Sequence, residues 1–261
     1  MGSESLMSLH STQPSFTASV EHRDAASPIL LVCEHASNAF PDPWGGLGLT
    51  DAQRSDHIAW DPGALDLSRA LSARLDATLV HAPVSRLIYD LNRGPDRPDA
   101  MAARSEVHDI PGNHALTPES RLHRTEALYL PFHNTLHGEI ARRLALGRAT
   151  VIVTIHSFTP VYHGQARAVE FGVIHDADDR LSRAIVADAQ AKTDLGCALN
   201  KPYSAADGVT HTLRLHATPY GLLNAMLEIR NDLIATPEQV AVMADSLAPV
   251  LQRALLAVAE G

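Results

Sequence analysis

The stretch ILLVCEHASNAF, residues 29–40, joins an apolar run directly to a cluster of polar residues. Residues 29–33 are apolar at consecutive positions, which is typical of a strand covered on both faces of a parallel sheet. Glu34, His35 and Asn38 follow at the point where such a strand ends. Because ligands of open parallel sheets bind beyond the carboxyl ends of the strands, this stretch predicts a functional site at the end of a buried strand.

Short apolar runs alternate with longer amphipathic segments through the rest of the chain, which favours an α/β fold with a mostly parallel sheet between helices. Strands are predicted over residues 29–33, 78–82, 87–91, 150–155, 169–174 and 222–229. Helices are predicted over residues 62–76, over 117–144 with a kink or break at Pro131, and from residue 236 onward. Two segments rich in proline, glycine and charged residues, 92–116 and 200–221, are expected to form the walls of a site.

Composition argues against several classes of protein. The formal net charge is -9 and basic residues form no long run, so no nucleic acid is expected as a partner. Two cysteines, Cys33 and Cys197, are too few for a disulfide framework and fit a reducing compartment, so a cytoplasmic location is expected. No apolar run approaches the roughly 20 residues of a membrane span, so no membrane is expected either.

The first 27 residues differ in character from the rest of the chain. They have neither the basic start nor the apolar centre of a signal peptide and are expected to form a flexible polar arm. Residues 28–261 have a length typical of one catalytic α/β domain. The sequence leaves the oligomeric state open.

Side chains able to carry chemistry follow four of the predicted strands. The segments are Glu34-His35, Asp90 to Arg93, His156 to Pro160 and Glu228 to Asp232. If they meet at one edge of the sheet, they suit metal-assisted hydrolysis. A divalent ion needs about three protein ligands and an open position for water, a carboxylate accepts the proton of that water, and arginine binds an anionic substrate. Each side chain also has a structural alternative, such as a hydrogen-bonded histidine at a strand end.

The chain resembles the N-formylglutamate amidohydrolase family from residue 28 to about residue 235. The resemblance lies in the order and spacing of CEHASNAFP (33–41), WDPGA (60–64), SRLIYDLNR (85–93), HSFTP (156–160), GVIHD (172–176), NKPYS (200–204) and LEIRNDL (227–233). It implies a three-layer α/β/α sandwich with a mixed, mostly parallel sheet, phosphorylase/hydrolase-like and similar to the zinc carboxypeptidases. It also implies hydrolysis of N-formyl-L-glutamate, or of a similar small anionic N-acyl amino acid, to the free amino acid and a carboxylate such as formate.

The same motifs imply roles for individual residues. By resemblance, His35 and His156 hold one divalent ion, with zinc expected, and Glu228 is the general base. Asn92 and Arg93 anchor the carboxylate of the substrate. Ser157 and Arg86 are further candidates for contact with the substrate. Arg230 is a candidate for contact with the substrate or with Glu228.

One departure from the related zinc carboxypeptidases concerns the third metal ligand. Those enzymes take two ligands from an H-x-x-E stretch, but Asn38 occupies the acidic position after His35. An amide is a poor zinc ligand, so the third ligand has to come from elsewhere in the chain. We expect Asp61, which stands just before a predicted helix, with Glu34 as the alternative.

These residues define the substrate only in part. Arg93 suffices for one carboxylate, whereas a dicarboxylate such as formylglutamate needs a second cation. The candidates, among which the sequence does not choose, are Arg86, Arg104, Arg167 and Arg230. Hydrolysis of an N-acetyl or N-succinyl amino acid or of a small peptide is an alternative. A metal-free binding protein that kept the sheet and lost the chemistry is the alternative from another class.

Overall fold

The computed structural model describes residues 16–260. Its strands are Ser19–Glu21 (β1), Ile29–Cys33 (β2), Thr78–His81 (β3), Arg104–Ser105 (β4), His108–Asp109 (β5), Val151–Phe158 (β6), Val161–Tyr162 (β7), Gln165–Ala166 (β8), Phe171–Ile174 (β9), Cys197–Leu199 (β10) and Asn224–Arg230 (β11). Its α-helices are Asp51–Ser55 (α1), Ala64–Leu75 (α2), Pro118–Arg124 (α3), Leu130–Ala145 (α4), Arg180–Lys192 (α5), His211–His216 (α6) and Pro237–Glu260 (α7). A π-helical turn, Thr125–Tyr129, joins α3 to α4, and short 3-10 helices span Pro98–Met101, Pro111–Asn113, Ala205–Asp207, Thr218–Tyr220 and Asn231–Leu233.

Seven strands form one mixed sheet in the order β1-β3-β2-β6-β11-β9-β10. The four strands from β3 to β11 in this order run parallel to one another, β9 runs antiparallel to β11, and β1 runs antiparallel to β3. The central strands β2 and β6 are buried along their whole length, as their consecutive apolar residues predict. The predicted mixed, mostly parallel sheet is confirmed.

Helices cover both faces of the sheet. Because successive strand residues point to opposite faces, Leu31 packs with the side chains of α2, α5 and α7, whereas its neighbour Leu30 packs with those of α4 and α6. The two apolar cores therefore lie on either side of the strands. The three-layer α/β/α sandwich that the family resemblance implies is confirmed.

Helix ends follow the local sequence signals. Pro131 lies in the first turn of α4, directly after the π-helical turn, so the long predicted helix is divided there. The hydroxyl of Thr236 accepts a hydrogen bond from the backbone N–H of Gln239 and caps α7 as predicted. Helix α5 was not among the predicted helices, although Leu181, Ile185 and Ala189 recur at helical spacing.

By length and composition alone, helix α7 is long and apolar enough to cross a membrane. The expectation that no segment of the chain has this length and composition is therefore not met. The core helix of a soluble protein passes the same test, so this evidence for a span is weak. Val240, Leu247 and Leu251 of α7 are buried in the core beside α2 and α5, which agrees with a packing helix.

Residues 87–91 are predicted as a strand but form a buried turn. Leu87, Ile88 and Tyr89 lie in the core beside α4, and Asp90 N donates a hydrogen bond to Ala100 O. The prediction is wrong because a short apolar run indicates burial without distinguishing a strand from a buried irregular segment.

The predicted polar arm over residues 1–27 is too long. Residues 1–15 lie outside the described part of the chain. Ser19–Glu21 forms β1 and pairs with β3 at the edge of the sheet, where Glu21 accepts a hydrogen bond from His81 Nε2. The prediction failed here because a polar composition is typical of an arm and also of a short edge strand.

Buried histidines connect α4 to α6 behind the turn that ends at Leu91. His133 Nε2 donates to Leu91 O (3.0 Å), so His133 Nδ1 carries a lone pair and accepts from His216 Nε2 (2.8 Å). His211 packs edge-on against the His133 ring and contacts the Tyr129 hydroxyl (2.9 Å). Burial lowers the pKa of His133 to about 3 and that of His216 to about 4. The cluster is therefore neutral in the folded protein at neutral pH.

The free energy of unfolding is expected to fall as the pH is lowered from 6.5 towards 4. In this window the unfolded histidines, with a pKa near 6.5, bind protons that the folded cluster does not, so stability decreases with falling pH. A fully shifted histidine contributes about 2 kcal/mol between pH 6.5 and 5. Urea unfolding at several pH values measures the slope. His216→Gln should reduce the pH dependence of the free energy of unfolding by the equivalent of about one bound proton. His114→Gln, at an exposed position, should leave this dependence unchanged. Equal slopes for the two variants would contradict the role of the cluster.

Gly172 in β9 faces a backbone carbonyl that leaves no room for a side chain. A Cβ there would lie 1.8 Å from Lys201 O and 3.4 Å from Glu228 Cβ. Gly172→Ala is therefore expected to lower the free energy of unfolding by about 3 kcal/mol. Gly138→Ala on α4 is the matched control, since nothing lies within 4 Å of its added Cβ, and it should stabilise by about 0.5–1 kcal/mol. Denaturant unfolding that finds both variants equally stable would rule out this packing.

Candidate metal centre and cavity

The sheet brings together side chains that are far apart in the sequence. His35 follows the end of β2, His156 lies in β6, and Glu228 lies in β11. These three strands are neighbours, and the parallel register pairs Glu228 with His156. The convergence predicted from the strand ends is therefore present at the carboxyl edge of the central strands.

Three ligand atoms meet at one point of this edge. His35 Nδ1 and His156 Nδ1 lie 3.2 Å and 2.9 Å from Asp61 Oδ2, and the two Nδ1 atoms lie 3.2 Å apart. All three side chains are buried. Asp61 stands just before α2, and its backbone N–H donates to His35 O (3.0 Å), which fixes the position of its carboxylate beside the imidazoles.

A carboxylate lies at the Nε2 atom of each imidazole, on the side away from Asp61. His35 Nε2 donates to Asp90 Oδ1 (2.8 Å), and His156 Nε2 lies 3.2 Å from Glu34 Oε2 in a charge contact. A carboxylate at Nε2 keeps the ring proton there and leaves the lone pair on Nδ1, the arrangement that is typical of histidine ligands of metals. The Nδ1 atoms of both rings therefore face Asp61. Against the effect of burial, Glu34 and Asp61 raise the pKa of His156 well above its usual range, so a positive charge is favoured at this point.

The donor set fits a divalent ion such as zinc. A tetrahedral zinc with ligand distances of about 2.1 Å has its ligand atoms about 3.4 Å apart, close to the separations of 2.9–3.2 Å found here. Two imidazoles and one carboxylate are also a known ligand set of catalytic zinc, with a further position open to water. Three lone pairs at these distances repel one another unless a cation or a proton lies between them.

The alternative third ligands occupy other positions. Glu34 lies behind His156, against Nε2, on the side away from Asp61. Asn38 Nδ2 donates to Arg54 O (3.2 Å). The amide at the H-x-x-E position therefore binds the backbone of α1, and Asp61 is the carboxylate next to both imidazoles.

Arg86 joins the two carboxylates that border His35. Its Nη1 donates to Asp61 Oδ1 (3.2 Å) and its Nη2 to Asp90 Oδ2 (2.7 Å). Burial alone would raise the pKa of Asp61, but the histidines and Arg86 hold it well below its usual range. Arg86 likewise holds the pKa of Asp90 low against the effect of burial. Both carboxylates are therefore ionised at neutral pH, and Arg86, predicted as a substrate contact, orients them.

Glu228 lies in the same cavity in a different environment. Its side chain is buried, it lines the cavity, and its Oε2 has no hydrogen-bond partner among the described residues. Burial raises the pKa of Glu228 to about 7, with His156 opposing the rise and Asp61 adding to it. A carboxylate with a pKa near neutrality can accept a proton and return it at physiological pH, which suits a general base that later acts as an acid.

The predicted substrate anchors differ in how far their donors are engaged. Both ends of the Asn92 amide have protein partners, since Nδ2 donates to Val209 O and Oδ1 accepts from Thr212 N (3.1 Å). Arg93 lines the cavity. Its Nε donates a hydrogen bond to Asp99 Oδ2 (3.1 Å), and its Nη1 donates one to Asn92 O (2.9 Å). Within residues 16–260, its Nη2 has no protein acceptor and is available to an anion.

Ser157 and Arg230, which were also predicted as site residues, bind other groups of the protein. Ser157 lines the cavity, but its hydroxyl donates to Pro62 O (2.8 Å) and its N–H donates to Asp61 Oδ2 (3.2 Å). Arg230 forms ion pairs with Glu170 and Asp232 and is not one of the described residues that line the cavity. The expectation that Arg230 contacts Glu228 is not met, because closer carboxylates outside the cavity bind its guanidinium.

The cavity has a volume of about 440 Å³, and loops supply its far wall. The two polar segments expected to form walls do so, contributing Ser105, Glu106, Tyr203, Asp207 and Val209. The sequence motifs did not indicate the remaining wall residues, which are His57, Ile58 and Tyr162. Their only signal is proximity to a motif, since His57 and Ile58 come just before WDPGA and Tyr162 follows HSFTP.

Comparison with known proteins agrees with this geometry. A sequence profile of the N-formylglutamate amidohydrolase family matches residues 27–235. Gene product Atu2144 from Agrobacterium tumefaciens is 51% identical, with 94% of this chain and 96% of that chain covered and a TM-score of 0.91. N-formylglutamate amidohydrolase from Ralstonia eutropha JMP134 is 19% identical, with coverages of 91% and 96% and a TM-score of 0.65, which shows a shared fold. No curated protein matches the chain.

The family profile covers most of the chain, including every strand that contributes to the cavity. The motifs quoted for the resemblance all lie within the matched residues. The chain belongs to the N-formylglutamate amidohydrolase family, a family of hydrolases that act on amide bonds.

Proposed function

We propose that this protein is a metal-dependent amidohydrolase that cleaves an N-formyl or related N-acyl amino acid into the free amino acid and a carboxylate such as formate. The observation that carries the proposal is the convergence of His35 Nδ1, Asp61 Oδ2 and His156 Nδ1 beside Glu228, whose Oε2 has no hydrogen-bond partner among residues 16–260. Ligands and base are thus held in one buried cavity. The two free cysteines agree with a cytoplasmic location for this enzyme.

His35, Asp61 and His156 would hold one divalent ion, and the donor set favours zinc. Such an ion lowers the pKa of a water and polarises a carbonyl oxygen. Asp90 and Glu34 keep the imidazole protons on Nε2, so both histidines remain ready to donate their Nδ1 lone pairs.

Glu228 is the proton carrier of the proposed reaction. It accepts a proton from the attacking water and then donates that proton to the nitrogen of the leaving amino acid, so the amine departs neutral. Burial keeps the pKa of Glu228 near neutrality in the protein alone, which suits both steps. Its position beside His156 brings the carboxylate next to the ligand atoms.

Arg93 binds the carboxylate of the substrate through its available Nη2. Asn92 has a supporting role, because its amide ties the Arg93 turn to the backbone before and within α6. Asp90 links this turn to the ligands, since its Oδ1 accepts from both His35 Nε2 and Asn92 N. The Asp90 side chain therefore fixes the position of the substrate anchor relative to the metal ligands.

Glu228→Gln is expected to lower kcat/KM for N-formyl amino acids by at least about 100-fold, because an amide of the same shape cannot accept a proton. Steady-state kinetics on zinc-loaded protein measures the effect. Circular dichroism should find the fold unchanged, and zinc content should stay equimolar. Glu119→Gln, the same substitution at an exposed position, is the matched control. Full turnover by the Glu228 variant would eliminate this residue as the base.

Removal of the ion by a chelator is expected to abolish hydrolysis, and added zinc should restore it. Metal content after dialysis tests the ligands independently of activity. Asp61→Asn should lose most of the bound zinc, because it removes the charge between the two imidazoles. Glu34→Gln should weaken binding by about 10–100-fold, as expected for a residue that acts through a ligand. Asp66→Asn, exposed on α2, is the control. A larger loss in Glu34→Gln than in Asp61→Asn would make Glu34 the third ligand.

A further inference from the structure

Among the described residues that line the cavity, Arg93 has a guanidinium nitrogen that is available to an anion. Arg93 shares Asp99 with Arg97, so this group of three side chains keeps one net positive charge. Arg86, the other arginine that lines the cavity, lies between Asp61 and Asp90, and this group carries one net negative charge. A carboxylate in the cavity is therefore attracted by Arg93 and gains little from Arg86.

The other arginines that could provide a second cation are engaged elsewhere. Arg104 is exposed and its Nε donates to Glu106 O (3.1 Å). Arg230 is paired with carboxylates outside the cavity. Arg167 lies over the rings of Tyr162 (4.5 Å) and Tyr203 (5.0 Å), so it stands behind the aromatic wall. None of these three is among the described residues that line the cavity.

The far wall of the cavity is acidic. Glu106 and Asp207 both line it. His57 also lines it, but its Nδ1 contacts Asp56 (2.7 Å) and its Nε2 contacts Glu106 (2.9 Å), so two carboxylates offset any charge on this imidazole. Glu106 further accepts from His163 N (3.1 Å), which holds its carboxylate in the wall between the β4–β5 and β7–β8 hairpins. A second anion on the substrate would be repelled here.

Uncharged surface makes up the remainder of the wall. Its members are Ile58, Ser105, Tyr162, Tyr203 and Val209. The guanidinium of Arg167 holds both tyrosine rings, by its position over them and by a hydrogen bond from Nη2 to the Tyr203 hydroxyl (2.9 Å). Fixed aromatic faces favour the burial of an uncharged side chain.

From this distribution of charge we infer that the enzyme selects N-acyl amino acids with a single carboxylate and an uncharged side chain, and that it discriminates against N-formylglutamate. The inference rests on the proposed function and narrows its substrate. Arg93 takes the α-carboxylate, the side chain lies against Tyr162 and Tyr203, and Glu106 with Asp207 excludes a second anion.

N-formylglutamine and N-formylglutamate form the deciding pair, since they have the same size and differ by one charge. With zinc-loaded protein, kcat/KM for N-formylglutamine should exceed that for N-formylglutamate by at least tenfold, and N-formylleucine should also be a better substrate than N-formylglutamate. The difference should shrink as salt is added, because it arises from charge. Equal values, or a preference for N-formylglutamate, would overturn the inference and leave the proposed hydrolysis intact.

Glu106→Gln and, separately, Asp207→Asn test the source of the discrimination. Each should narrow the ratio between the two substrates, and an exposed control, Asp66→Asn, should leave it unchanged. Two different residues are used because Glu106 also holds the hairpins and its variant can fail to fold. If neither variant narrows the ratio, the acidic wall is not the cause and the inference is wrong.

Calorimetric binding to zinc-loaded Glu228→Gln separates this inference from the proposed reaction. Tighter binding of N-formylglutamine than of N-formylglutamate supports the inference even if the native protein hydrolyses neither, in which case the proposed reaction alone fails. Tighter binding of N-formylglutamate overturns the inference, and so does the absence of binding by both at millimolar concentration.

Discussion

The Asp61 carboxylate is the contact on which the centre depends. Its Oδ2 lies within 3.2 Å of Nδ1 of both His35 and His156, and its Oδ1 binds Arg86. A buried carboxylate is unstable unless charges or hydrogen bonds surround it, and here every neighbour that stabilises it also belongs to the site. The imidazoles in turn keep their orientation because Asp90 and Glu34 hold their outer nitrogens. Six side chains thus fix one another around a point that none of them occupies.

The sheet explains why these residues meet. Parallel strands end at the same edge, so residues that follow β2 and residues within β6 and β11 become neighbours, although His35 and His156 are 121 positions apart in the sequence. The buried turn after β3 adds Asp90 and Arg93 to the same edge. Because Asp90 contacts both His35 and the Asn92 backbone, the distance between the ion ligands and the anion anchor does not depend on flexible loops. In the proposed reaction, the fold would thereby fix the length of substrate between its carboxylate and its amide.

The sequence predicted the strand ends, the layers and the group of His35, His156 and Glu228, because buried parallel strands have a distinctive apolar pattern. It failed where the choice of partner is made in three dimensions. Residues 87–91 have the composition of a strand, but they form a turn. Arg230 is two residues from Glu228, yet nearer carboxylates bind it, and no local pattern indicates which acid an arginine will find. The acidic far wall comes from loops with weak sequence signals, so the sequence raised the question of a second cation without answering it.

The charges buried at the centre make the case for a cation. Four carboxylates and one guanidinium are buried or nearly so around the imidazoles: Glu34, Asp61, Asp90, Glu228 and Arg86. With Glu34, Asp61 and Asp90 ionised, three negative charges face the one positive charge of Arg86, and this excess is costly in a medium of low dielectric constant. Protons cannot offset it fully. The outer nitrogens of His35 and His156 already carry protons, so further ones must be added at the two Nδ1 atoms, which lie 3.2 Å apart and would point N–H groups at each other. One proton fits this space, and two repel. A divalent ion would accept both lone pairs and the Asp61 oxygen together, so the proposed ion would offset the charge that protons leave unbalanced.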